Sequence, residues 1–142
     1  MSRSKMGIWE YVIDGRDAGD PVNPVNFDDA FLDMLGFSDP KDYPNTFAKW
    51  SALLPPDHAA KNAQAFVNCV NDPSGATVYD VEYQVTGGNG ETNWFRSQGT
   101  MERDENGVCR RFVGVLKTID EQRKHNGETE FKDWQLELYG KK

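Results

Sequence analysis

The sequence predicts an α+β fold, with short helices grouped on one side of an antiparallel sheet. Three observations carry that reading. Residues 79–85 alternate strictly, with Tyr79, Val81, Tyr83 and Val85 on one face and Asp80, Glu82 and Gln84 on the other. Two turn clusters, Gly87-Gly88-Asn89-Gly90 and Arg103-Asp104-Glu105-Asn106-Gly107, join three such runs into a meander. Before the meander, apolar residues recur at spacings of three and four, broken by Pro and Gly. Helices followed by a run of strands form an α+β layer arrangement.

The elements follow in chain order. Residues 7–13, GIWEYVI, place Trp9, Tyr11 and Ile13 on alternate positions and read as a strand. Asp14 to Pro24 is dense in Gly, Pro, Asp and Asn, which marks a long loop, and Asn26-Phe27 resumes a short strand. Asp28 or Asp29 caps a helix carrying Phe31, Leu32, Met34 and Leu35, and Gly36 ends it. A second helical stretch runs from Thr46 to Leu54, with Phe47, Trp50, Leu53 and Leu54. Pro55-Pro56 stops it, and Asp57 is the expected N-cap of a third helix. That helix presents Ala59, Ala63, Phe66, Val67 and Val70 on one face and ends near Asn71–Gly75.

The register of the first hairpin has two solutions. A three-residue loop at Gly88-Asn89-Gly90 sets Glu82 opposite Arg96, as a cross-strand ion pair. A four-residue loop sets Val81 opposite Arg96 instead.

Bulk properties narrow the function classes. A chain of 142 residues is long enough for one domain with a core, and 12% aromatic content argues against disorder. No run approaches the roughly 18 apolar residues of a membrane helix, and the polar start has no signal-peptide core. The chain reads as soluble and cytoplasmic, without membrane contact. Sixteen Lys plus Arg against 23 Asp plus Glu gives a net charge of −7, which repels nucleic acid and anionic membranes. Two Cys and two His, far apart in sequence, leave no set of zinc ligands. Phosphate-binding loops, Gly-x-Ser-x-Gly elbows and His-Glu-x-x-His motifs are missing, so the domain is expected not to be an enzyme.

Four groups of residues resemble PAS domains of the PAS/PAC sensor type. They are Phe31-Leu32-Asp33-Met34-Leu35-Gly36-Phe37; Trp50-Ser51-Ala52-Leu53-Leu54-Pro55-Pro56-Asp57; Tyr79 to Val85 with Trp94-Phe95-Arg96 and Arg103–Gly107; and Gly114 to Gln122. The match departs from the family pattern at Pro55-Pro56-Asp57-His58, at Thr118-Ile119-Asp120 and in the long Asp14–Pro24 loop. The resemblance implies a PAS domain over residues 7–121, built on a five-stranded sheet of order 2-1-5-4-3. A C-terminal signalling helix would span 122–142, with Thr118 and Asp120 at the junction. Phe131, Trp134 and Leu138 form an apolar stripe there that needs a surface to cover it.

The resemblance further implies a cavity between sheet and helices. Trp9, Tyr11, Phe31, Met34, Leu35, Phe47, Trp50, Phe66, Tyr83, Trp94 and Val115 are candidate walls. Trp50, Phe66, Tyr83, Trp94, Arg96 and Gln98 are the candidate ligand contacts, with Arg96 and Gln98 as the polar anchors. Haem is disfavoured, because His58 stands only at a helix start and His125 lies beyond the domain. A covalent flavin adduct is disfavoured because no Asn-Cys-Arg motif occurs, and Cys69 reads as core. A small organic ligand fits better. The expected role is sensory input to a diguanylate cyclase, histidine kinase or chemoreceptor output module absent from this chain, with a homodimer as the assembly. The alternative is a ligand-free PAS-like dimerisation module.

Overall fold

The computed structural model describes residues 4–119. Asp120, His125 and the expected signalling helix at 122–142 lie outside the described residues. Five strands and three α-helices follow one another as β1 (Met6–Val12), β2 (Val25–Phe27), α1 (Asp29–Met34), α2 (Phe47–Ser51), α3 (Pro56–Val70), β3 (Tyr79–Thr86), β4 (Thr92–Arg103) and β5 (Cys109–Ile119). The strands form one antiparallel sheet of order β2-β1-β5-β4-β3. This is the expected order.

The helix boundaries follow local chemistry. Asp28 caps α1 by accepting the Phe31 N–H, and Gly36 turns the chain away at φ 71°. Thr46 caps α2 through the Lys49 N–H. Asp57 is not the N-cap of α3. Pro55 occupies that position and Pro56 opens the helix, which puts Asp57 inside the first turn. Proline at the first helical position gives up an N–H that has no helical partner, and its ring presets φ. An acidic residue in that turn still suits the helix dipole.

The 79–99 hairpin adopts the three-residue solution. Glu82 pairs with Arg96 and Tyr83 with Phe95, and Gly90 takes φ 82° in the loop. Directly opposed residues share a sheet face. The inner face of β4 is therefore Phe95, Ser97 and Gly99, and the outer face is Trp94, Arg96 and Gln98.

The core lies between the inner sheet face and the helices. Tyr11, Tyr79, Tyr83, Phe31, Phe112 and Leu116 are among its fully buried side chains. Phe66 of α3 is its hub. It stacks on Tyr79 at 4.1 Å and meets Tyr11, Trp9 and Phe112 edge-on. The helices also seal the β3 edge. Leu53 accepts the Thr86 N–H, His58 Nδ1 accepts the Gln84 N–H at 3.0 Å, and Lys61 donates to the Glu82 carbonyl at 2.7 Å. Covering outward backbone groups in this way blocks edge-to-edge pairing.

Candidate ligand cavity

A cavity opens where the helices meet the inner sheet face. Trp9 and Tyr11 of β1, Val25 of β2, Tyr79 and Tyr83 of β3 and Ser97 of β4 line the sheet side. Phe31, Phe47, Trp50 and Phe66 line the helix side. Alternation puts every second residue of a strand on this face, and helical spacing turns one apolar stripe of each helix toward it. The space open to the centre of a water molecule is ≈ 20 Å³, roughly what one water needs.

Polar groups gather at one pole of the cavity. The Tyr79 hydroxyl donates to Asn62 Oδ1 at 2.5 Å and lies 3.2 Å from Ser97 Oγ. Asn62 and Ser97 are each 1% exposed. Tyr83 lines the same cavity, with its ring edge-on to Trp50 at 6.1 Å between centroids. Burial raises the Tyr79 phenol far above its ordinary range and pushes Tyr83 up to about 12. Both are neutral hydroxyls at physiological pH, as tyrosine ordinarily is, and burial moves their ionisation further from it.

Trp9 sits at the centre of the sheet. It pairs with Gly114, which in turn pairs with Gly99. A Cβ on Gly114 would come within 2.4 Å of the indole Cζ2, and one on Gly99 within 2.7 Å of its Cη2. The two glycines thus leave room for the ring against the sheet. Among the described residues, Trp9 Nε1 is the one buried side-chain nitrogen or oxygen with no hydrogen-bond partner.

A second polar cluster ties the Asp14–Pro24 loop to the cavity wall. The Tyr11 hydroxyl donates to the Ala18 carbonyl and accepts from Asn23 Nδ2 at 3.1 Å. Asn23 is fully buried, donates to the Asp17 carbonyl at 2.8 Å and accepts from Arg16 Nε at 2.6 Å. Tyr11 is thereby a wall through its ring and an anchor through its hydroxyl.

The structure brings Trp50, Phe66 and Tyr83 together at the cavity, as expected. It does not bring Trp94, Arg96 or Gln98 there. Arg96 lies on the outer face and holds Asp80 in a bidentate pair at 2.9 and 2.7 Å; Gln98 reaches the same carboxylate at 3.4 Å. The expected Glu82–Arg96 ion pair is replaced by this diagonal one, although the register is as expected. Arg96 hydrogen-bonding holds the Asp80 carboxyl below its usual range. Trp94 meets His58 at 5.3 Å between ring centroids. Val115 also faces outward, since it pairs with half-exposed Ile8 and with Gln98. Met34 and Leu35 are buried in the core but do not line the cavity.

Sequence reasoning missed Asn62, Val25 and Ser97, and counted Tyr79 only as part of a strand face. Asn62 lies four residues before Phe66 and so on its helix face, but a polar residue there breaks an apolar search. At the junction, Thr118 pairs with Phe95 and donates its N–H to the Lys5 carbonyl at 3.0 Å. Among the described residues, no helix is long and apolar enough to cross a membrane, and no cluster of three or more His, Cys, Asp or Glu stands ready for a metal.

Comparison with known proteins agrees with this architecture. Solved structures with the same fold include a sensory box histidine kinase/response regulator from Burkholderia thailandensis. It is 19% identical, with 95% of this chain and 92% of that one covered at a TM-score of 0.65. The N-terminal domain of a diguanylate cyclase with PAS/PAC sensor from Marinobacter aquaeolei is 15% identical, with 83% and 98% covered and a TM-score of 0.61. A LOV domain from a blue-light activated histidine kinase of Erythrobacter litoralis is 19% identical, with 82% and 97% covered and a TM-score of 0.58. No curated protein sequence matches the chain. The family model described as the PAS fold matches residues 24–116. With that match across most of the chain, and with the sheet order and cavity described above, this chain belongs to the PAS fold family.

Proposed function

We propose that this domain is a sensory input module of a cytoplasmic signal-transduction protein. It binds a small organic ligand between sheet and helices, and it is not itself catalytic. The observation that carries the reading is the aromatic cavity, together with an unpartnered buried donor, Nε1, on its lining residue Trp9. A core evolved only for packing has little reason to keep such a group, because a buried unmade hydrogen bond costs about 1–3 kcal/mol. Occupancy would act on Trp9 of β1, and through it on the paired strand β5. From there the change passes by way of Thr118 to Asp120 and the segment that follows. Output through a diguanylate cyclase, histidine kinase or chemoreceptor module, in a homodimer, belongs to the same proposal. A signal of this kind requires the ligand to bind two conformations with different affinity.

The second reading is a ligand-free interaction module, and the cavity's ≈ 20 Å³ favours it. Native mass spectrometry of the purified chain separates the two. A co-purifying small molecule, or a saturable rise in melting temperature with a library compound, supports the sensor. A clean apo dimer whose stability no compound changes supports the interaction module.

A further inference from the structure

The geometry points to His58 as a proton-operated latch between α3 and β3, the edge strand of the sheet. Neutral, its ring holds the strand at Gln84; protonated, it lets go. The inference stands apart from the sensor reading and needs no ligand.

The hydrogen bond sets the direction. His58 Nδ1 accepts the Gln84 N–H at 3.0 Å. A ring nitrogen accepts only while it carries no proton, so the ring is neutral with its hydrogen on Nε2. A further proton must go to Nδ1. It turns the acceptor into a donor facing another donor, and the bond is lost. Histidine takes up that proton between about pH 5 and 8.

The neighbouring ties on the same edge do not titrate in this way. The Thr86 N–H donates to the Leu53 carbonyl at 2.8 Å, and the Lys61 ammonium donates to the Glu82 carbonyl at 2.7 Å. Protonation therefore opens the edge at one amide and leaves its flanks held. The released ring has a second partner in Trp94, 5.3 Å away between centroids, within the range at which an aromatic face attracts a cation.

Charged groups on the elements around the ring pull both ways. They are Asp57 and Lys61 on α3, Glu82 on β3, and Glu91 and Arg96 on either side of Trp94. Arg96 is paired with Asp80, and Glu91 accepts from Asn89. Asp57 and Glu82 favour the proton, whereas Lys61 and the positive end of the α3 dipole oppose it. Only the Gln84 bond belongs to one protonation state alone.

The latch joins two walls of the cavity. Phe66 lies about two turns along α3 from His58, and Tyr83 precedes Gln84 on β3; both line the cavity. Proton concentration thus acts on how firmly helix and strand are held together.

The test is amide hydrogen exchange on the full ¹⁵N-labelled chain, with each rate divided by that of an unstructured peptide at the same pH. From about pH 8 to about pH 5, Gln84 is expected to lose protection at least about tenfold while Thr86 keeps its own. Ring ¹⁵N shifts at the alkaline end should place the His58 hydrogen on Nε2. His58→Asn offers a non-titrating oxygen close to the position of Nδ1 and should make Gln84 protection independent of pH. Should that variant fail to fold, the comparison of Gln84 with Thr86 in the unmodified chain decides alone. Constant protection at Gln84, a parallel fall at Thr86, a hydrogen on Nδ1 at the alkaline end, or a pH-dependent Gln84 in His58→Asn each overturns the latch.

Discussion

The Trp9 indole occupies the space that a side chain on Gly114, its partner on the neighbouring strand, would need. A glycine in mid-strand normally weakens a sheet, and a second one, Gly99, stands beside it on β4. An aromatic ring laid across such glycines covers the exposed backbone and restores packing.

Gly114→Ala should therefore be destabilising. Its Cβ would meet the Gln98 carbonyl oxygen at 2.1 Å as well as the indole. Backbone in mid-sheet cannot step aside as a flexible side chain can. A loss of about 1–3 kcal/mol is expected in urea unfolding, together with a change in Trp9 environment. Gly19→Ala is the control, because nothing lies within 4 Å of its added Cβ, and it should be close to neutral.

The Asn62–Tyr79 bond predicts strong non-additivity. Asn62→Leu removes the nearer of two partners, leaving only Ser97, from a hydroxyl that is fully buried, at an expected cost of about 1–3 kcal/mol. Combining it with Tyr79→Phe removes both polar groups, and the double variant should lose less than the sum of the two single ones. A double-mutant cycle on thermal or chemical unfolding measures the difference. Strict additivity would mean that the two side chains do not interact.

Arg96→Ala should leave the cavity untouched. The residue is on the outer face, and its pair with Asp80 is partly exposed. The expected loss is about 0.2–1 kcal/mol, shrinking at high salt. Affinity for any cavity ligand should not change, whereas Ser97→Ala or Tyr83→Phe should alter it. Calorimetric titration of the three variants distinguishes the faces.

Arg103 crosses from the end of β4 to the C-terminus of α3. One terminal nitrogen donates to the Val70 carbonyl at 2.8 Å and lies 3.4 Å from that of Asp72, while the other reaches the Gly107 carbonyl at 2.9 Å. The last carbonyls of a helix have no partner within it, and a cation there also suits the helix dipole. Arg103→Met should cost about 1–2 kcal/mol and speed amide exchange at the end of α3 and in the 103–107 turn.

Stability should fall at both ends of the pH scale. Hydrogen bonds, largest among them those from arginine, lower the carboxyls of Glu10 and Asp80 below their ordinary values. The unfolded chain then binds more protons than the folded one in acid, so this contribution is full above about pH 5 and drains away as pH drops through the folded values. Tyr83 works in the opposite direction. Its phenol is raised from 10.0 to about 12 by burial, so the folded state holds a proton that the unfolded state releases. Stability should decline as pH rises from 10 toward 12. Melting temperature across the pH range checks both limbs, and Tyr83→Phe should make the alkaline one less steep, with the buried Tyr79 phenol keeping part of it.

Most of the fold was legible because it is written in short-range patterns. The alternation from Tyr79 to Val85 needs only neighbouring residues, as does the cap at Asp28 or the stop at Gly36. The cavity was legible in part. Trp50, Phe66 and Tyr83 were readable as apolar residues at the right period, while Asn62 was hidden because a polar residue carries no hydrophobic signal. Arg96 and Gln98 were misplaced for a different reason. Which face they occupy depends on the hairpin register, and a shift of one residue moves every side chain to the other face.

By itself, then, the sequence determined the element order, the cap of α1, the positions of the turns and the buried face of β3, since each follows from interactions a few residues long. Only the tertiary structure decided that Arg96 turns away from the cavity and takes Asp80 as its partner. It also decided that Tyr79 finds Asn62 across the core, and that Trp9 rests over Gly114 and Gly99 with its N–H unmatched. These are contacts between strands and helices far apart in the chain. They are set by pairing register and by the space left when the layers close, quantities that no local pattern encodes.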